Sequence, residues 1–237
     1  MSHVLTADGG TESLRVRIYD LEGRCVASHA EPYETKFMSG ARAEQNAEDW
    51  WSSLVTATQI CLKEANISGD AIDAMAYATT CCTVVTLDKN GAPLRPALMW
   101  MDVRANKEAE AVLETGDPRL ILNGNGQGPV SAEWMIPKAL WLKRNEPKIF
   151  DDAVTICEYQ DYLTMRLTGE RCASLNNVGL RWHYANRDGG WASGIVEKLG
   201  MPDLLEKWPS RVAAPGEVVG NLSAAVAAEL GLSTQTK

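Results

Sequence analysis

The chain predicts an α/β fold, a mixed β-sheet flanked by helices, and three observations carry that prediction. First, the stretch Asp8-Gly9-Gly10-Thr11-Glu12-Ser13-Leu14-Arg15 lies between two apolar runs and reads as a tight strand-to-strand turn. Second, residues 46–65 have helical spacing and are followed by a buried strand at Ile72 to Ala78. Third, strand and helix signals keep alternating as far as Leu167. The chain has 237 residues, 45% of them hydrophobic, which suits an ordinary globular core. That length fits one large domain or two small ones.

Taken in order, Val4 to Ala7 leads in as a short apolar strand. Arg15 to Tyr19 leads out, with Val16 and Ile18 alternating against Arg15 and Arg17. Leu21-Glu22-Gly23-Arg24 forms a second turn, and Val26 to Lys36 a third extended segment. In the helix from Asn46 to Ala65, Trp50, Leu54, Ala57, Ile60 and Cys61 share a face. Glu48 and Asp49 put negative charge in its first turn, favourable against the helix dipole. Thr83 to Leu87 is the next strand, Asp88-Lys89-Asn90-Gly91 a turn, and Leu98-Met99-Trp100 a short strand. Asp102 to Glu114 reads as a polar, alanine-rich helix.

Asn123-Gly124-Asn125-Gly126-Gln127-Gly128-Pro129 is rich in glycine, but no strand precedes it and a proline closes it. A substrate-side loop fits it better than a dinucleotide loop. Glu133 to Asn145 is a helix opened by Ser131, with Pro137 near its start. Gln160 to Leu167 is a helix closed by Gly169. Loop and short helix follow from Ala185, and Ala224 to Leu230 is a short amphipathic helix.

Composition excludes several classes. The net charge is -8 with no lysine- or arginine-rich run, which argues against nucleic acid or an anionic membrane as partner. Six cysteines, at positions 25, 61, 81, 82, 157 and 172, form no CxxC pair, and three histidines are too few for a zinc cluster. No signal peptide and no bilayer-spanning run is evident. The expected setting is the cytoplasm, with reduced thiols. The chain is left open to homodimer formation.

The first turn carries the chemistry. Glycines let a backbone approach a ligand and adopt positive φ. Bare N–H groups in such a turn form a concave anion site. Gly9, Gly10, Thr11, Ser13 and Arg15 are therefore the phosphate-binding candidates, with hydroxyls from Thr11 and Ser13. Asp8 would repel a phosphate and is better placed to hold Mg²⁺, directly or through a water. A Walker-type loop runs strand, glycine loop, helix and carries Gly-Lys-Ser/Thr, neither of which is present. A dehydrogenase reading fails for want of the strand–glycine-loop–helix unit. The same residues would also suit an ordinary surface hairpin, since Gly-Gly turns are common.

Three segments in fixed order carry a family likeness: DGGTESLR at 8–15, PLRPALMWMDVR at 93–104, and DYLTMRLTG at 161–169. QNAEDWW at 45–51 and PKALWL at 137–142 add to it. Together they resemble the FGGY family of carbohydrate kinases, looking closest to its ribulokinase-like members. The resemblance implies an actin-like, ribonuclease-H-like domain, ATP and Mg²⁺ as cofactors, and a small sugar as substrate. It implies phosphorylation of a sugar hydroxyl, as in a ketopentose such as ribulose.

The family has two such domains and about twice this length, with its catalytic aspartate and most of its adenosine surface in the second. Residues 1–237 thus resemble the N-terminal, sugar-binding domain, and the chain taken alone is expected to be inactive. Asp8 and Thr11 would position metal and phosphate.

The resemblance also implies a sugar wall. Its first part is the pair after the third core strand, Cys81-Cys82, preceded by Thr80, where glycerol kinases carry a charged pair and xylulokinases Met-His. Two packed strand-end cysteines would explain the same residues. Trp100 offers an aromatic face for sugar C–H groups, and Asp102 a carboxylate for hydroxyls, or equally a helix cap. Glu133 falls where glycerol kinases place a tyrosine, Asn177 where ribulokinase-like members place a sugar contact, and Lys138 reads as structural. One alternative is a non-catalytic sugar-binding or regulatory module. A chaperone-type actin-like ATPase is another, against which Trp100 and Asp102 argue.

Overall fold

A computed structural model describes residues 2–123 and 130–237. The glycine-rich stretch from Gly124 to Pro129 lies outside the described residues.

The N-terminal half begins as a meander. Strand β1 (His3–Gly9) and β2 (Ser13–Asp20) pair antiparallel, with Asp8 opposite Arg15 and Gly9 opposite Leu14. Leu5 and Ala7 on β1, and Leu14, Val16 and Ile18 on β2, are buried, the period-2 pattern that the sequence displays. Strand β3 (Cys25–Pro32) adds antiparallel to β2. The extended segment expected to reach Lys36 breaks after Pro32. Strands β4 (Lys36–Met38) and β5 (Arg42–Gln45) belong to another sheet.

Helix α1 (Ala47–Ala65) is capped by the Asn46 side chain, which accepts from the Glu48 N–H at 3.3 Å, and it stops at Asn66 with φ 54°. Trp50, Leu54, Ala57 and Cys61 are buried and α1 packs on β2 and β3, while Ile60 is only half-buried. Strand β6 (Ile72–Thr79) returns parallel to β1, and the first sheet has the order β3-β2-β1-β6. A parallel neighbour reached through a helix is the ordinary βαβ solution.

The next strands do not extend that sheet. Strand β7 (Val84–Leu87) pairs antiparallel with β8 (Ala97–Leu98) and with β9 (Thr155–Glu158), giving a second sheet of order β4-β5-β8-β7-β9. The chain leaves the first sheet after Thr79 and turns through Cys82, whose φ is 67°, before β7 begins at Val84.

Helix α2 (Asn106–Glu114) starts four residues later than expected. Helix α3 (Met135–Asn145) starts two residues late, because Ser131 closes a separate turn by accepting from the Glu133 N–H at 3.2 Å. Then come α4 (Pro147–Asp152), α5 (Tyr159–Thr168), β10 (Cys172–Ser174), α6 (Leu175–Arg181), α7 (Ser193–Lys198), α8 (Leu204–Lys207), β11 (Arg211–Ala213) and α9 (Ala224–Leu230). Strands β10 and β11 form a parallel pair of their own.

Two apolar cores result. One joins the first sheet, α1 and α5 through Leu5, Val16, Trp50 and Tyr159; the other gathers α2, α3 and the tryptophans Trp182 and Trp208. All six cysteines are free. Among the described residues, no helix is long and apolar enough to cross a membrane.

Candidate functional site

The turn between β1 and β2 is braced from behind. The Gly10 N–H donates to the Ser13 carbonyl at 2.9 Å, so that amide is closed inside the turn. The Tyr33 hydroxyl donates to the carbonyls of Gly10 (2.6 Å) and Ser13 (3.1 Å). Gln45 Nε2 donates to the Thr11 carbonyl at 2.6 Å, and its Oε1 accepts from Trp50 Nε1 at 2.9 Å. Buried carbonyls held in this way leave the turn little freedom to move.

Neither glycine lies in the left-handed region, contrary to expectation. Gly9 is there because a Cβ would stand 2.8 Å from the Tyr159 ring, which itself stacks on Trp50 with centroids 3.8 Å apart. Asp8, at the end of β1, is exposed and has no ion-pair partner among the described residues. Arg15 stands across from it and is also exposed.

Parallel pairing sets Gly9 beside Thr79, and the Thr80 N–H donates to the Gly9 carbonyl at 2.9 Å. This brings Thr80 and Cys81 to the turn. Thr80 Oγ1 is buried without a hydrogen-bond partner among the described residues. Trp100 Nε1 donates to Thr11 Oγ1 at 3.2 Å, and the Trp100 N–H to Thr83 Oγ1 at 3.1 Å. The indole stays 36% exposed. Three segments remote in sequence thus meet at one rim: 8–11, 80–82 and Trp100. A cavity of about 490 Å³ lies along β6 and α5, lined by Tyr77, Thr164 and Ser174, and does not include the rim residues.

A buried acid and a buried base lock the 80–82 turn. Glu158 Oε2 accepts from the Cys82 N–H at 2.8 Å and from Asn177 Nδ2 at 3.1 Å, and Oε1 accepts from Trp182 Nε1 at 2.6 Å. Lys138 Nζ donates to the carbonyls of Cys82 (2.8 Å) and Met99 (2.5 Å). Sequence reasoning missed Glu158. The signal was an acidic residue at a strand-to-helix junction, where it forms a capping box with Asp161. Lys138, a charge set in the apolar run Ile136 to Leu142, is structural as expected.

Burial, with Asp161 nearby, pushes Glu158 up to about 8, and burial pushes Asp161 up to about 7. Each carboxyl therefore holds its proton in the folded state well above its unfolded value of about 4. The native state binds more protons at these two groups, so their contribution to stability is full at low pH and falls as pH rises from about 4 towards about 8. Lys138, lowered to about 8 by burial, is protonated in both states over most of that window. The thermal midpoint is expected to fall between about pH 6 and about pH 8, and Glu158→Gln to flatten the fall. A midpoint that rises over this interval in a melting series would refute the assignment.

Two expected ligands face inward instead. Asp102 is fully buried: its oxygens accept from Arg104 at 2.7 Å and from the Ala43 N–H at 2.8 Å. Burial alone would raise its carboxyl, but these donors outweigh it and hold the group below the usual range. Arg104 also pairs with Glu44 at 2.9 Å, and Arg95 bridges Glu44 and Glu146. Asp102 is therefore neither a helix cap, since α2 starts at Asn106, nor a free sugar acceptor. Asn177 is buried with its amide on Glu158, so it orders the turn from behind. Cys82 is buried too, whereas Cys81 is half-buried. Glu133 is half-buried beside Ser131 and acts electrostatically on the Cys81 thiol, as does Arg181.

Known proteins resemble this chain in sequence and fold. The pattern of the FGGY family of carbohydrate kinases, N-terminal domain, matches residues 3–237. A xylulose kinase of Streptomyces rubiginosus is 32% identical over 225 residues, 92% of this chain and 44% of that protein. An FGGY carbohydrate kinase domain-containing protein of Homo sapiens is 30% identical over 240 residues, 95% of this chain and 42% of that one. A D-ribulokinase of Saccharomyces cerevisiae is 25% identical, over 95% of this chain and 35% of its own. The structure of xylulose kinase from Rhodospirillum rubrum superposes with a TM-score of 0.87 at 26% identity, over 98% of this chain and 47% of that one. The chain thus spans about half the length of the curated relatives that it matches. On the match over residues 3–237 the chain belongs to the FGGY family of carbohydrate kinases, and the superposition gives it the actin-like fold of that family's N-terminal domain.

Proposed function

We propose that this chain supplies the sugar-binding lobe of an ATP-dependent kinase that phosphorylates a hydroxyl of a ketopentose such as ribulose or xylulose. One observation carries the reading: the half-exposed indole of Trp100 is hydrogen-bonded to Thr11 of the β1–β2 turn. A flat apolar face for sugar C–H groups and a hydroxyl for an anion therefore stand side by side. Thr80, whose buried hydroxyl has no partner among the described residues, and the half-buried Cys81 complete the wall. The names of the relatives, xylulose kinase and D-ribulokinase, support a ketopentose.

Asp8, Thr11 and Ser13, with Arg15 across the hairpin, would meet ATP phosphates and Mg²⁺. Among the described residues, no group of three or more His, Cys, Asp or Glu could hold a metal. A single exposed carboxylate fits Mg²⁺, which keeps waters and phosphate oxygens as its other ligands. When bound, Mg²⁺ neutralises charge on the transferring phosphoryl group. Asp8 fixes the metal side, Thr11 positions phosphate against the rim, and Trp100 holds the sugar face. The free thiols accord with a cytoplasmic setting.

Calorimetric titration of the 237-residue chain with D-ribulose, D-xylulose and glycerol tests the reading. A ketopentose is expected to bind, and Trp100→Ala to weaken it about tenfold, the loss of roughly 1.4 kcal/mol of stacking. A coupled ATPase assay of this chain alone is expected to show binding without turnover. Absence of binding to every sugar would remove the assignment.

A further inference from the structure

Cys81 and Cys82 are adjacent, and their sulfurs lie 3.8 Å apart. Cys82 sits in the left-handed region, pinned there by Glu158 on its N–H and Lys138 on its carbonyl. That conformation is uncommon for a non-glycine residue and persists because the surroundings over-determine it. Cys81 is half-buried at the rim, and Cys82 is buried behind it. We propose that this pair is a redox-sensitive dithiol, which a small disulfide such as oxidised glutathione converts to an intramolecular disulfide that deforms the sugar wall.

The geometry divides the roles. The Cys82 S–H donates to Cys81 Sγ and so favours the Cys81 thiolate, with Arg181 adding to the effect. The same hydrogen bond to Cys81, with burial beside Glu158, keeps Cys82 a thiol. The Cys81 thiolate attacks one sulfur of glutathione disulfide, whose S–S bond breaks. One glutathione leaves as thiolate and takes up a proton. Cys82 then gives up its proton to water and attacks Cys81 Sγ; the mixed S–S bond breaks, and the second glutathione leaves as thiolate and takes up a proton. Two protein thiols are oxidised and one disulfide is reduced to two thiols. Closing the bond draws the sulfurs from 3.8 Å to about 2.05 Å. Adjacent Cα atoms stand about 3.8 Å apart, closer than in ordinary disulfides, so the bond is strained and yields readily to a dithiol reductant.

The linkage stands on geometry alone, whereas its effect on sugar rests on the proposed function. The test uses the chain carrying Cys25→Ser, which removes the exposed thiol remote from the rim. Reduced protein is treated with oxidised glutathione and followed by intact mass, peptide mapping and calorimetry with ribulose and xylulose. Expected are a loss of about two mass units, a Cys81–Cys82 peptide without bound glutathione, and sugar binding weakened at least about tenfold, all reversed by dithiothreitol. With Cys82→Ser added, a lasting glutathione adduct on Cys81 is expected instead, since no resolving thiol remains.

A lasting adduct on the intact pair, or no reaction at Cys81, overturns the proposal. Linkage with unchanged sugar affinity overturns the switch. Linkage in a chain whose reduced form binds no sugar supports the dithiol and refutes the sugar-lobe reading instead.

Discussion

Asp8→Ala, placed in a protein that joins this lobe to the second half its relatives possess, is expected to lower sugar-dependent ATP turnover by about 10²–10³-fold and leave sugar affinity nearly intact. Phosphoryl transfer relies on positioning and on charge stabilisation, and loss of one preorganised electrostatic group costs about that much. Asp8 is the exposed carboxylate at the end of β1, without an ion-pair partner among the described residues, so its removal breaks no salt bridge. The proposed sugar wall places Trp100 and Thr80 on segments other than β1, which carries Asp8. Steady-state kinetics with calorimetry on the same preparation separates the two effects. Unchanged turnover would exclude Asp8 from the metal and phosphate site. A matching loss of sugar affinity would place it on the sugar wall.

Asp102→Ala is expected to act on stability. It deletes one partner of a buried ion pair and leaves Arg104, only 3% exposed, beside Glu44 without its closest acceptor. The Ala43 N–H is orphaned as well. Breaking such a pair costs about 3–5 kcal/mol, and for a chain of this size each kcal/mol shifts the thermal midpoint by roughly 2–4 °C. A fall of about 10 °C is therefore expected. The pH dependence has the opposite sign to that of Glu158. The Asp102 carboxyl is held below its ordinary value, so its contribution is present above about pH 4 and is lost as pH falls through the lower folded value. Replacing Asp102 and Arg104 together by apolar residues should recover much of the loss. Denaturation of single and double variants, with sugar titration of each, is the measurement. Unchanged stability with lost sugar binding would restore Asp102 to the sugar site.

Much of the fold could be read along the chain because its signals are local. The alternation in β1 and β2, the amphipathic face and capping of α1, and the Gly169 stop of α5 each involve residues a few positions apart. The β1–β2 turn proposed to meet phosphate is legible in the same way, from an acidic residue, two glycines and hydroxyls between two strands. Other features depend on residues far apart. Gly9 is required by the ring of Tyr159, and Trp100 reaches Thr11 across 89 positions. The turn between β6 and β7 is fixed at Cys82 by Glu158 and Lys138, neither of them near it in sequence.

Asp102 and Asn177 carry side chains that suit a sugar, yet packing turned both inward. Each had a buried partner available, Arg104 and Glu158, and a buried polar or charged group left unpaired is costly. Residue type and spacing nominate the groups with chemistry suited to a sugar and a phosphate. Which of them face the rim was decided by long-range pairing, since only the assembled core determines which polar groups are sealed from water and must satisfy one another.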